Sequence, residues 1–86
     1  MRRAEGISSA TVQGDAVLLD TRRGKYYTLN PTGAAVWELL LEPRSLAELR
    51  TALVERFDVD AATLSSDLSD LLGDLRRHGL IDDEDR

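Results

Sequence analysis

Lys25-Tyr26-Tyr27-Thr28-Leu29-Asn30-Pro31 is where the chain changes period. After Lys25, the next four residues are aromatic, β-branched or apolar, and the run 25–29 reads as a strand. Asn30 is a good N-cap, and Pro31 at the first helical position gives up an N–H that a helix leaves unpaired anyway. A strand thus runs directly into a helix. Upstream, Gly14-Asp15 and Thr21-Arg22-Arg23-Gly24 punctuate two more short apolar or β-branched runs, as hairpin turns do. The spacing predicts three antiparallel strands over 8–13, 16–20 and 25–29.

Downstream everything is helical. Val36, Trp37, Leu40 and Leu41 recur at helical spacing, and Pro43 closes a helix over 31–42. Ser45 and Glu48 form a capping box for a helix over 46–57, striped by Leu46, Leu49, Leu53 and Phe57. Asp60 caps a third helix over 61–78, with Val59 and Leu64 placed as a hydrophobic staple. Leu64, Leu68, Leu71 and Leu75 line one face of it. Gly79 stands at C′, where Leu75 and Leu80 can make the contact of a Schellman ending. The expected architecture is α+β: a three-stranded antiparallel sheet followed by three helices, in one domain over 1–86. Residues 82–86 read as an acidic, solvated tail.

Eighty-six residues allow one small core and no second domain. With 42% hydrophobic and 31% charged residues the chain is not a disordered one. No cysteine is present, which removes disulfides, thiolate metal sites and thiol nucleophiles and fits a reducing, cytoplasmic setting. His78 is the single histidine, so neither a histidine metal cluster nor a Ser-His-Asp relay is expected. Its place beside a helix C-terminus is the structural use of such a residue. The glycines match no phosphate-binding loop, and no apolar run is long enough for a membrane span. No catalytic residue, metal or cofactor is expected.

The net charge of −5 is unevenly placed: residues 1–30 sum to +2, 31–57 to −1 and 58–86 to −6. An acidic third helix opposes a phosphate backbone, which argues against a winged-helix DNA-binding regulator. Asp67, Asp70 and Asp74 on one flank of that helix are either a solvated face or a stripe for a basic partner. Gly73, in mid-helix, is either a tolerated defect of about 1 kcal/mol or a point of close approach by another chain. The strand 25–29 ends the sheet with an unprotected row of backbone groups, blunted by nothing except Lys25. Such an edge is an aggregation hazard or a docking site for an extended peptide.

The strings Asp15-Ala16-Val17-Leu18-Leu19-Asp20, Gly24-Lys25-Tyr26-Tyr27-Thr28-Leu29-Asn30 and Thr32-Gly33-Ala34-Ala35-Val36-Trp37 resemble the PqqD-like family of RiPP recognition elements. Ser45-Leu46-Ala47-Glu48-Leu49 and Gly79-Leu80-Ile81 extend the resemblance over roughly residues 8–82. It implies a winged helix-turn-helix-like fold and a non-catalytic peptide chaperone, in which a precursor's leader peptide adds to the third strand beside the third helix. The residues it implies for leader binding are Lys25, Tyr26, Tyr27, Thr28, Leu29, Asp67, Leu68, Leu71, Asp74 and Leu75. Thr32-Gly33-Ala34-Ala35-Val36-Trp37 and Asp20-Thr21-Arg22-Arg23-Gly24 are most similar to the standalone lasso-peptide members. Those imply a separate, transglutaminase-like leader peptidase and a cyclase as partners. The Gly73 surface and the first helix are where we expect the partner to make contact. A chaperone for a radical-SAM enzyme is the near alternative. Neither nucleic acid nor membrane is an expected partner.

Overall fold

A computed structural model describes residues 1–82. The order is β1 (Arg2–Arg3), β2 (Ile7–Val12), β3 (Asp15–Asp20), β4 (Lys25–Leu29), α1 (Pro31–Leu39), α2 (Leu46–Arg56), α3 (Ala61–Arg77) and β5 (Ile81–Asp82). The strands β2, β3 and β4 form an antiparallel meander in that order. The sheet's inner face, with Ala16, Leu18 and Leu29, packs with Val36, Trp37, Leu40, Leu49, Leu53 and the leucines of α3 into one core.

Local signals set most boundaries. Asn30 accepts a hydrogen bond from the Gly33 amide at 2.9 Å, and Asp60 one from the Thr63 amide at 3.1 Å. Both halves of the Ser45–Glu48 capping box are made. At the end of α3 the Leu80 amide donates to the Leu75 carbonyl and the Gly79 amide to that of Arg76, the two bonds of a Schellman motif. Gly79 has φ +70°, the left-handed region that favours glycine, and a Cβ there would also push on the end of the Arg23 side chain, 2.9 Å away at Nη1.

Several expectations need correction. The first helix ends at Leu39, not 42: Leu40 is its cap, and Leu41, beyond the helical period, is 72% exposed. The first strand of the meander spans 7–12, and its turn is Gln13-Gly14, both at positive φ, with Asp15 already in β3. In α3 the buried stripe is Leu64, Leu68, Leu72 and Leu75, while Leu71 is half-buried. The second helix ends at Arg56 with Phe57 as cap, and the third at Arg77 with His78 as cap. Asp82, expected in a solvated tail, instead pairs with Arg2 in the small β1–β5 ladder. The rest of the expected acidic tail, 83–86, lies outside the described residues.

The register decides which backbone groups stay open. A two-residue turn makes its flanking pair, Val12 and Asp15, a hydrogen-bonded pair, and the Thr21 amide donates to the Gly6 carbonyl six residues along. The β3 groups at Asp15, Val17 and Leu19 therefore face β2, and those at Ala16, Leu18 and Asp20 face β4. On β4, Lys25, Tyr27 and Leu29 pair inward with Asp20, Leu18 and Ala16. The amides and carbonyls of Tyr26 and Thr28 are left pointing away from the sheet.

Candidate functional site

The open edge of β4 runs beside α3, and between them lies a groove of about 270 Å³. Tyr27, Thr28, Leu29 and Asn30 form one wall; Leu71, Asp74, Leu75, His78 and Leu80 form the other. Strand alternation explains the first wall: Tyr27 and Leu29 share the face that looks toward the helices, and Tyr26 points the other way, 72% exposed. Helical spacing explains the second. Asp67, Leu71, Asp74 and His78 follow at i, i+4, i+7 and i+11, a stripe lying one residue behind the core stripe of Leu64, Leu68, Leu72 and Leu75. One face of α3 is thus spent on the core and the adjoining face on the groove.

The groove's far end is tied by three residues. The Tyr27 and His78 rings lie 4.8 Å apart, tilted by 38°. Arg23 Nη1 donates to the His78 carbonyl at 2.9 Å, which fastens the β3–β4 turn to the end of α3. Asp20, with no exposed side-chain surface, organises that turn: Oδ1 accepts from the amides of Arg22 at 3.0 Å and Arg23 at 3.3 Å. Both guanidiniums stand 3.6 Å from its carboxylate. Loss of water around the carboxyl works to raise its pKa. The two amide hydrogen bonds and the two guanidiniums outweigh that and hold it below the usual carboxylate range.

The expected leader-binding residues divide between four places. Tyr27, Thr28, Leu29, Leu71, Asp74 and Leu75 come together in the groove. Leu68 does not: it is 1% exposed and belongs to the core beneath. Asp67 lines a smaller neighbouring hollow of about 90 Å³ with Thr32, Phe57 and Leu64. Lys25 and Tyr26 lie on the strand but outside both hollows. Asn30, His78 and Leu80 line the groove too, outside the expected set. The Asn30 cap and the Schellman pair of Leu75 and Leu80 signalled helix ends, and nothing local in the sequence brought those ends together.

Charge along the α3 wall is acidic. Asp74 is ion-paired with Arg77 one turn on, whereas Asp67 has no ion pair among the described residues. Trp37 is core, 3% exposed, with the Arg3 guanidinium 4.6 Å above its ring. Among the described residues no group of three or more His, Cys, Asp or Glu side chains converges as a metal site would need, and no helix is long and apolar enough to cross a membrane. Among the described residues, the β4 rim of the groove offers two unpaired amides and two unpaired carbonyls, above an apolar floor and beside acidic flanks. That set suits an extended peptide.

A family model described as coenzyme PQQ synthesis protein D (PqqD) matches residues 15–81. Among curated proteins no sequence match is found. Of solved structures, TbiB1 in complex with the TbiA(beta) leader peptide superposes at a TM-score of 0.87, with 29% identity over 100% of both chains. A lasso peptide synthetase B1 complexed with the leader peptide superposes at 0.77, with 32% identity over 92% of this chain and 93% of the other.

Proposed function

The chain belongs to the PqqD family, and on that premise we propose that it is a non-catalytic adaptor that binds the leader peptide of a ribosomally made precursor, of the lasso-peptide class. The observation that carries this reading is the open β4 edge, where the register turns the Tyr26 and Thr28 amides and carbonyls away from the sheet beside an apolar groove. A leader in extended form gains its affinity from those four groups and its selectivity from the side chains it sets between β4 and α3. Two structural relatives caught with leader peptides support the same class of ligand. The acidic stripe of α3 speaks against a nucleic acid in that place.

The chemistry is assigned to other proteins. A transglutaminase-like peptidase and a cyclase act on a precursor that this chain holds in the cytoplasm. Its contribution is effective concentration, which reaches the millimolar range for short tethers. Leu68 acts only by supporting α3 from within, and the Gly73 surface with α1 is offered to the partner enzymes.

Hydrogen exchange with and without leader peptide tests the binding mode. Tyr26 and Thr28 amides become protected on leader addition. Protection confined to α2, with those two amides unchanged, overturns strand addition at β4. The purified chain incubated with precursor alone leaves its mass unchanged; a cleaved product, in the proven absence of other proteases, overturns the adaptor role.

A further inference from the structure

The meander has a second open edge. The pairing that turns Ser8, Ala10 and Val12 toward β3 leaves the amides and carbonyls of Ile7, Ser9 and Thr11 pointing out of the sheet. β2 packs chiefly on β3, and five of its six residues are exposed. On the helix side of the strand, Ser9 and Thr11 look over a hollow of about 270 Å³ bounded by α1 and the end of α2. The strand Ile7-Ser8-Ser9-Ala10-Thr11-Val12 carries no charge, no proline and no lysine. Charged side chains, lysine above all, and proline are among the devices that blunt an exposed edge, and β2 carries none of these.

From this geometry we infer that β2 is a self-association edge and that its occupant is β2 of a second copy. Antiparallel pairing about a two-fold axis through Ser9 sets Ser9 against Ser9 and Ile7 against Thr11. All three outward-facing residues of each strand then fall in hydrogen-bonded pairs, so the edge is self-complementary without a change of register. Charge permits it. The chain's −5 is concentrated in residues 58–86, while residues 1–30 sum to +2, so two copies meeting at β2 bring together neutral strands from their least acidic part. The hollow under Ser9 and Thr11 leaves room on the helix side for the incoming side chains. The product is a six-stranded sheet with a β4 edge at each outer end. One strand pair buries little area, so the dimer is a weak one that forms as concentration rises.

This inference goes beyond leader binding and stands or falls apart from it. Sedimentation equilibrium of the full chain over rising concentration shows a monomer–dimer equilibrium. Ser9→Pro removes an outward donor and no β3 bond, and Ser9→Lys places a charge at the two-fold axis. Each weakens the dimer at least tenfold, while circular dichroism and leader affinity stay as in the parent chain. Because the chain has no cysteine, Ser9→Cys is a clean reporter: mild oxidation yields a covalent dimer, while Asp70→Cys on α3 yields none. A chain that stays monomeric at millimolar concentration overturns the inference, and so does a dimer that Ser9→Pro and Ser9→Lys both leave intact.

Discussion

Tyr27 on β4 and His78 at the cap of α3 face each other across the groove, ring centroids 4.8 Å apart. They come from opposite walls and close one end of the trough in which a peptide would lie. Tilted ring pairs of this kind contribute roughly 0.5–1.5 kcal/mol beyond the area they bury. His78→Ala is expected to weaken leader binding a few-fold and to leave the fold in place, since the Schellman bonds run through the backbone of residues 75–80. Calorimetric titration with leader peptide measures it. Unchanged affinity would remove His78 from the site.

Neighbouring residues on β4 should respond oppositely to proline. The Thr28 amide points out of the sheet, so Thr28→Pro costs no ladder bond and leaves thermal stability nearly unchanged. It removes a donor worth about 0.5–1.5 kcal/mol net and puts a ring where the added strand must lie, so leader affinity falls by roughly tenfold or more. Tyr27→Pro removes a bond to Leu18 inside the ladder and should unfold the hairpin. Equal behaviour of the two variants in thermal melts would contradict the register.

Charge along α3 is expected to act unequally. Asp67 has no ion pair among the described residues, whereas Asp74 already has Arg77. A basic leader residue therefore gains more from Asp67. Asp67→Asn should reduce affinity about twofold to fivefold at low salt, within the roughly 0–1 kcal/mol of exposed pairs, and Asp74→Asn should do less. Both differences should shrink as salt rises, because screening shortens to about 3 Å at 1 M. Binding that ignores both salt and Asp67→Asn would make this flank plain solvated surface.

What was legible in the sequence is what is local. Asn30, the Ser45–Glu48 pair, Asp60 and Gly79 each act on atoms within a few residues of themselves, and each does so in the fold. Leu71 and Leu72 are adjacent, and helical spacing admits either one to the core stripe. Only packing against α2 and the sheet decides for Leu72, and that releases Leu71 to the groove. The β1–β5 ladder joins residues eighty apart through two-residue strands, too short to carry a pattern. His78 read as a helix-end residue, and it is one. Its second face, toward Tyr27, depends on where the β3–β4 hairpin lies against the end of α3, and Arg23 in the turn of that hairpin donates to the His78 carbonyl.

Gly73 can be separated from its neighbours by a methyl group. A Cβ built there meets nothing within 4 Å, so no packing inside the chain requires glycine. Gly73→Ala should raise stability by about 0.5–1 kcal/mol through helix propensity alone. For a domain this small that is a rise in Tm of about 2–8 °C. If the adaptor with Gly73→Ala also loses its effect on the partner peptidase while leader affinity holds, a second chain approaches closely there. If the peptidase is unaffected, the glycine is a surface defect and α1 alone remains for that contact.

Asp20 gives the fold an acid limb. Its carboxyl is held below the ordinary value of 3.8, against the cost of lost hydration, by the Arg22 and Arg23 amides and their guanidiniums. A folded-state pKa below the unfolded one means a contribution fully present above the unfolded value. That contribution is lost as pH falls through the folded one. Melting temperature should therefore hold on the neutral side and fall below about pH 4, where carboxylates take up protons. Asp20→Asn keeps an acceptor for the two amides and loses the charge, so it should be less stable than the parent at neutral pH. The gap between the two should narrow below pH 4. Because the same turn carries Arg23 to the His78 carbonyl, leader affinity should weaken in Asp20→Asn at neutral pH, which a titration at pH 7 reads directly. Parallel melting curves across the acid range would show that the Asp20 charge does not hold this turn.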